Sequence, residues 1–439
     1  MGLTRMVRSR LARPQGLPRR IARNLGIGWL LRRLGLVPLL RRTFRDRAVT
    51  SRDGADGSGN APEESHRAPG VLLVGHPYGV LGVGEYLRAS AAALAAADVP
   101  FHIRNAFDWG EHLRDKHTEF DLWDRLTSGR PHGVNVFHIN ADEMADARRH
   151  LGTAFLAGRY NIACWHWELS RFPEAWLPAL QGVDELWASS RFIQHALAEK
   201  APVPVVWMPH PMDVRGGAGL ERCDLALPER TYLFLTSFDF TSFVTRKNPL
   251  GVVRAFRTAF PLERGEQVGL VIKTNGAAER PDDASAFLAS PELKDLRIVV
   301  IDQMLDRRRL IGLFEQCDCF VSLHRSEGFG RGIAEAMLLG KPVIATGYSG
   351  NMDFTNPLDA CIVDYQLVPV GPHEYPHATG QHWADPDLEQ AAWYMRRLVS
   401  DPAWGAALAD RGRELVEAQH GLLPVGQRYR ARLEKLGFV

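Results

Sequence analysis

Residues 322–345 read SLHRSEGFGRGIAEAMLLGKPVIA. A short apolar strand delivers a carboxylate, Glu327. Three glycines, Gly328, Gly330 and Gly332, turn the chain tightly, and a helix follows with a second carboxylate, Glu335, in its first turns. Gly340 and Pro342 close that helix, and Val343-Ile-Ala345 opens another strand. Strand, glycine turn and helix form the repeating unit of a doubly wound α/β protein, and such a turn aims free N–H groups and positive potential at an anion. A phosphate beside two carboxylates that accept hydroxyl hydrogen bonds is the arrangement a sugar nucleotide requires.

The pattern extends on both sides. Downstream of Tyr232-Leu-Phe-Leu-Thr236, strands are predicted at Val268–Ile272, Leu296–Ile301, Cys319–Leu323 and Lys341–Ala345. Upstream, Val71-Leu-Leu-Val74 leads into Gly75-His-Pro-Tyr-Gly79-Val-Leu-Gly82-Val-Gly84 and a helix from Glu85 to about Ala97. Further strands are predicted at Val99–Ile103, Val134–Ile139, Asn161–Trp165, Glu185–Ala188 and Val203–Met208. Apolar runs of this length alternating with helical stretches imply mostly parallel sheets. Two such series with a boundary near 212–230 imply two halves and a cleft between them, where ligands of α/β proteins usually sit.

The chain has 439 residues, 45% hydrophobic and 24% charged, the composition of a globular protein. Its formal charge of +2 conceals a split. Residues 1–50 hold thirteen arginines, no lysine and one acid, net +12; the remainder is net −10. The Leu25–Leu40 stretch is interrupted by Arg32-Arg33, which excludes a transmembrane span, and no secretory signal is evident. Leu25, Trp29 and Leu30 recur at helical spacing, as in an interfacial amphipathic helix. Three readings of the arm stand together: contact of residues 1–47 with an anionic membrane surface, a disordered basic tail, or a translation start further downstream. Residues 51–69 read as a flexible linker. No nucleic acid partner is expected, because the acidic body shows no basic-aromatic platform. Cysteines 164, 223, 317, 319 and 361 are too scattered for a disulfide framework. Cys317 and Cys319 are expected to share one face of a strand, packed in the core.

The 322–345 stretch resembles the signature of retaining family 4 glycosyltransferases of the GT-B fold, whose hallmark is two glutamates separated by seven residues, here Glu327 and Glu335. The resemblance spans roughly 70–425. It includes Tyr348-Ser-Gly350-Asn351-Met-Asp353-Phe and, upstream, Trp165-His166-Trp167-Glu168 with Phe172-Pro173 and Val183-Asp-Glu185-Leu-Trp187-Ala-Ser-Ser190-Arg191-Phe192, which resemble bacterial polysaccharide-assembly members. It implies two Rossmann-like domains facing across a cleft, at 70–228 on the acceptor side and 229–386 on the nucleotide-sugar side, with helices at 387–439 that partly cross back.

Activity and site are implied the same way: transfer of a hexose such as mannose from a nucleoside-diphosphate sugar to a glycan or lipid-linked acceptor, without cofactor or metal, in the cytoplasm or at the inner face of the membrane. By resemblance Glu327 meets hydroxyls of the donor sugar, the backbone of Gly328, Phe329 and Gly330 lies against sugar and phosphates, and Glu335 accepts from the ribose. Lys247 matches the family's phosphate-binding lysine. The arginine that usually follows the strand's terminal glycine is replaced by Ser237-Phe238. Two cations could take its place, Arg246 or Lys273. Lys273, at a strand end, is expected to face the cleft, whereas Arg246 is expected to point to solvent. His166 occupies the family's position near the reactive carbon, against the reading of a packed core histidine; Glu168 and His138 are weaker candidates. Gly82 and Gly84 are read as lining the phosphate or acceptor side, and Glu85 as a helix-start carboxylate. A sugar-nucleotide epimerase and a non-catalytic glycan-binding or tethering module remain alternatives.

Overall fold

The computed structural model describes residues 67–439 apart from 80–81, 109, 112–119, 215 and 218. The basic arm, the amphipathic helix and membrane contact expected within it, and the linker up to residue 66 lie outside the described residues. Within them, no helix is long and apolar enough to cross a membrane.

Twelve strands make two six-stranded parallel sheets. The first contains β1 (Ala68–Gly75), β2 (Phe101–Asn105), β3 (His132–His138), β4 (Tyr160–Cys164), β5 (Glu185–Ala188) and β6 (Val205–Trp207), in the order β2-β1-β3-β4-β5-β6. The second contains β7 (Tyr232–Asp239), β8 (Val268–Asn275), β9 (Ile298–Asp302), β10 (Cys319–Ser322), β11 (Val343–Thr346) and β12 (Cys361–Val363), in the order β12-β11-β10-β7-β8-β9. Every predicted strand is present, with ends shifted by a few residues. β1 starts at Ala68, inside the last residues read as linker, because the Ala68 N–H pairs with the Pro131 carbonyl at 3.1 Å.

Both faces of each sheet are buried, which is why the strands read as continuous apolar runs. Along β1, Val71 and Leu73 pack on one face with Tyr86 and Leu87, while Leu72 and Val74 pack on the other with Phe137 and Trp165. β7 does the same, with Leu233 and Leu235 on one side and Phe234 on the other. The two-cysteine reading is corrected here. Cys317 caps the Arg307–Gln316 helix and packs beside Leu313 and Phe314, while Cys319 opens β10 and packs across the sheet with Phe234 and Val321. Both are buried, on opposite faces.

In the second sheet the strand order reverses between β7 and β10, and at such a switch point the loops at the carboxyl ends of the two strands diverge and leave a crevice. The loops carrying Lys247 and Glu327 therefore leave neighbouring strands on the same edge.

Two features depart from a simple pair of halves. After β12 the chain makes an antiparallel hairpin, β13 (Tyr365–Pro369) and β14 (His382–Pro386); Val370 and Tyr375 of the connecting segment and Trp383 of β14 pack into the core of the first half. The helical stretch predicted from 387 is divided at Asp401-Pro402 into helices Leu388–Ser400 and Pro402–His420, after which Leu422–Lys435 lies on the first sheet. Val425, Tyr429 and Leu433 complete the core around Val71 and Tyr86. The contact is so close that a Cβ on Gly426 would stand 2.0 Å from the Ala93 carbonyl oxygen. The two connections between the halves run side by side, the Met212 N–H donating to the His420 carbonyl at 2.6 Å.

Candidate active site

Lys247 and Arg246 lie on a single helical turn, Val244–Lys247, closed by Asn248 in the left-handed region. The Asn248 side chain accepts from the Gly251 N–H at 3.2 Å and donates to the Leu323 carbonyl at 2.9 Å, tying the turn to the end of β10. Both cations therefore face Glu327. Lys247 Nζ donates to Glu327 Oε1 at 2.5 Å, and Arg246 Nη1 to Oε2 at 3.2 Å and to the Ser326 carbonyl at 2.8 Å. The Arg246 side chain is buried, so the expectation that it points to solvent is overturned: Ser326 and Glu327 draw it inward. Burial pushes the Glu327 carboxyl up, but Lys247 and then Arg246 outweigh it and hold it at about 2. Burial lowers Lys247 against the pull of Glu327.

Lys273 has another setting. Its ammonium donates to the Thr274 carbonyl at 2.8 Å and lies in the field of Asp239 and Asp302. It makes no hydrogen bond or ion pair with Glu327, so Arg246 is the cation the structure brings to this cluster.

Glu335 is the fifth residue of the Arg331–Leu338 helix, in its second turn. Its Oε1 accepts from Arg307 Nη1 at 2.7 Å and Arg331 Nε at 3.1 Å. Arg331 also reaches Glu85 of the first half at 3.3 Å; Glu85 pairs with Arg88 at 2.6 Å, and Arg88 donates to the Pro77 and Gly79 carbonyls at 2.6 and 2.9 Å. This chain links the first glycine loop to the second-half helix. Burial raises the Glu85 carboxyl, yet Arg331, Arg88 and Arg307 hold it at about 2. Sequence reasoning missed Arg307 and Arg331 as partners of Glu335. The i,i+4 spacing of Arg331 and Glu335 was the available signal; nothing local points to Arg307.

The glycines divide. Gly330 caps the motif helix with φ +97°, a conformation L side chains rarely adopt. Gly328 lies beneath Trp167 and Glu168 of the first half, and Ser190 Oγ donates to its carbonyl at 2.6 Å. Gly84 packs on the Gly79 carbonyl, while Gly82 is open. The Phe329 side chain is unavailable to a ligand. It is buried, stacked on His210 with ring centroids 4.8 Å apart and packed on His420 at 5.1 Å, because it plugs the joint between the halves. Only its backbone can meet a donor.

That joint is a stack of rings: His138 edges onto Tyr86 at 4.7 Å, Tyr86 stacks on His210 at 4.3 Å, and His210 on Phe329. The His166 ring meets Tyr86 edge-on at 5.3 Å, and its backbone N–H donates to Asn140 Oδ1 at 3.0 Å. Among the described residues, both ring nitrogens of His138 and the Nε2 atoms of His166 and His420 have no hydrogen-bond partner. Burial pushes His138 down to about 3 and His420 to about 4, and lowers His166 and His210.

Acid sensitivity follows with a definite sign. Each of these histidines has a folded pKa below its unfolded value of about 6.5, so the unfolded chain binds protons first as pH falls. Stability should be full above pH 6.5 and decline toward pH 4 and 3, by about 1.4 kcal/mol per pH unit for each histidine titrating only when unfolded. Glu327 and Glu85, depressed from 4.5 to about 2, add a second loss over that lower interval. Urea-unfolding midpoints from pH 8 to 4 measure this; a midpoint flat between pH 7 and 5 contradicts it.

Residues 240–414 match the family model described as glycosyl transferases group 1. Solved structures of similar fold include HepE of Anabaena, crystallised with UDP and glucose, at TM-score 0.60 and 14% identity over 84% of this chain and 100% of that one. Sucrose-phosphate synthase of Thermosynechococcus elongatus aligns at TM-score 0.61 and 17% identity over 84% and 99%. A glycosyltransferase of Rickettsia africae aligns at 0.59 and 16% over 84% and 99%. A search of curated proteins finds no match. The fold is GT-B, and with a group 1 domain on its second half the chain is a glycosyltransferase.

Proposed function

We propose that the protein is a retaining enzyme that moves a hexose from a nucleoside-diphosphate sugar to a glycan or lipid-linked acceptor, in assembly of a cell-surface polysaccharide or glycolipid at the inner face of the membrane. The observation that carries this reading is the Lys247–Glu327–Arg246 cluster at the switch point of the second sheet. Without ligand, the carboxylate pairs with both cations and offsets part of their charge. A nucleotide sugar brings matching groups: sugar hydroxyls that donate to Glu327, and a diphosphate that takes the cations. Charge accumulating on the departing diphosphate then meets preorganised positive groups in a site sheltered from water.

Glu335 keeps Oε2 for the ribose hydroxyls, with Arg307 and Arg331 fixing Oε1. The acceptor hydroxyl attacks from the face the diphosphate leaves, and a phosphate oxygen takes its proton. His166, neutral and edge-on to Tyr86, lines the first-half side of the reacting carbon. HepE with UDP-glucose and sucrose-phosphate synthase favour a hexosyl donor, and UDP-glucose and GDP-mannose are the first to try. The test is a screen of nucleotide sugars for thermal stabilisation and slow donor hydrolysis. A protein that neither binds nor hydrolyses any of them is not this enzyme, and an isomerised donor formed without acceptor would make it an epimerase.

A further inference from the structure

Glu168 enters the site from the first half. Its backbone carbonyl accepts from Ser326 Oγ, and its side chain packs beside Gly328. Its Oε2 accepts a hydrogen bond from the hydroxyl of Tyr375. Tyr375 belongs to the segment between β13 and β14, which leaves the second half and is pinned on the first: Gln381 Nε2 donates to the Arg171 carbonyl at 2.6 Å, and the Arg171 N–H donates to Gln381 Oε1 at 3.3 Å. The Tyr375 ring is buried between Phe243 at 4.8 Å and Trp167 at 5.6 Å, with the Arg246 guanidinium over its face at 5.9 Å.

Two carboxylates therefore converge on the same two cations, Glu327 from one half and Glu168 from the other; both raise Arg246, Glu327 more strongly. The pair Arg246 and Lys247 is matched in charge by Glu327 and Glu168. Among the described residues only one oxygen of Glu168 is engaged; Oε1 has no hydrogen-bond partner. A half-exposed carboxylate held by a single buried hydroxyl, beside the backbone of Gly328, is oriented to accept a hydroxyl.

We infer that Glu168 is a second sugar-binding carboxylate, facing Glu327 across the transferred hexose, and that Tyr375 is the positioning residue that fixes its orientation. The inference rests on the nucleotide-sugar reading above. Its chemistry is selective: Glu168 acts on the sugar and not on the diphosphate. Removing its charge leaves the cations less neutralised, so nucleoside-diphosphate affinity should hold or rise while recognition of the sugar falls. Loss of one hydrogen bond to a charged group corresponds to roughly 10- to 100-fold.

The experiment compares wild type, Glu168→Gln and Tyr375→Phe on the full chain, with UDP, GDP, UDP-glucose and GDP-mannose as probes. It reads melting temperature, Kd for each nucleotide with and without its sugar, and KM and kcat for donor hydrolysis. Supporting results are Kd for the nucleoside diphosphate unchanged or tighter, with donor turnover down by about 10- to 100-fold in Glu168→Gln and about 10-fold in Tyr375→Phe, at a melting temperature that leaves each variant folded. Should Tyr375→Phe unfold, Glu168→Gln, which preserves shape, carries the test alone. Equal losses for nucleoside diphosphate and sugar nucleotide, or undiminished donor turnover in Glu168→Gln, overturn the inference while the proposed function stands. Absence of any nucleotide-sugar binding by wild type overturns both.

Discussion

Glu327→Ala is expected to abolish transfer, by at least about 10³-fold, while the protein still binds the nucleoside diphosphate. The carboxylate has two duties in the structure, and the substitution separates them. With donor bound it accepts sugar hydroxyls, and without it the hexose is no longer oriented. In the free protein it pairs with Lys247 and Arg246, both largely buried. Deleting one member of a buried ion cluster leaves uncompensated charge, a cost of about 3–5 kcal/mol. The variant should therefore melt lower than wild type, and a nucleoside diphosphate, whose phosphates replace the missing negative charge, should raise its melting temperature more than it raises that of wild type. Transfer and melting assays with and without nucleotide read both effects. A glycosyl group trapped covalently on Glu327 of wild type would falsify this role, because it would make the residue a nucleophile in a double displacement.

Lys247→Ala should produce the complementary failure. The ammonium is held at 2.5 Å from Glu327, beside the space where the leaving group's charge grows. Removing one preorganised charge partner of this kind costs about 10²–10³ in kcat. Nucleoside-diphosphate affinity should fall by roughly tenfold or more, as for a charge-assisted hydrogen bond, whereas stability should change little because Arg246 still neutralises Glu327. Lys273→Ala serves as the contrast: its ammonium is engaged by the Thr274 carbonyl and the field of Asp239 and Asp302, and affinity should stay within about twofold. If Lys273→Ala weakens binding as much as Lys247→Ala, the assignment of Arg246 in place of the missing arginine is wrong.

The strands were legible because both faces of each parallel sheet are buried, so β1, β7 and β10 appear as unbroken apolar runs. The motif at Glu327 was legible because carboxylate, glycine turn and helix follow one another directly. The inward turn of Arg246 was not: it depends on Asn248 clamping a four-residue helix to the carbonyl of Leu323, seventy-five residues further on. Arg307 reaches Glu335 from another helix twenty-eight residues away, a distance no local pattern encodes. The hairpin at 365–386 escaped because β13 is largely exposed and short, with Pro369 breaking its apolar residues, and with it went Tyr375. The burial of the Phe329 ring was not legible either, because its partners His210 and His420 lie far from it in the chain.

The helix Leu422–Lys435 bears on how the chain is made. Ribosomes build a protein from its amino end, yet the core that Val71 and Leu73 form with Tyr86 and Leu87 is completed by Val425, Tyr429 and Leu433, more than three hundred residues later. At roughly 5–20 residues per second, that apolar surface waits on the order of tens of seconds for its cover. The second half can close its core before the first does, despite being made after it. A nascent chain of this protein is thus most in need of a chaperone at its oldest part.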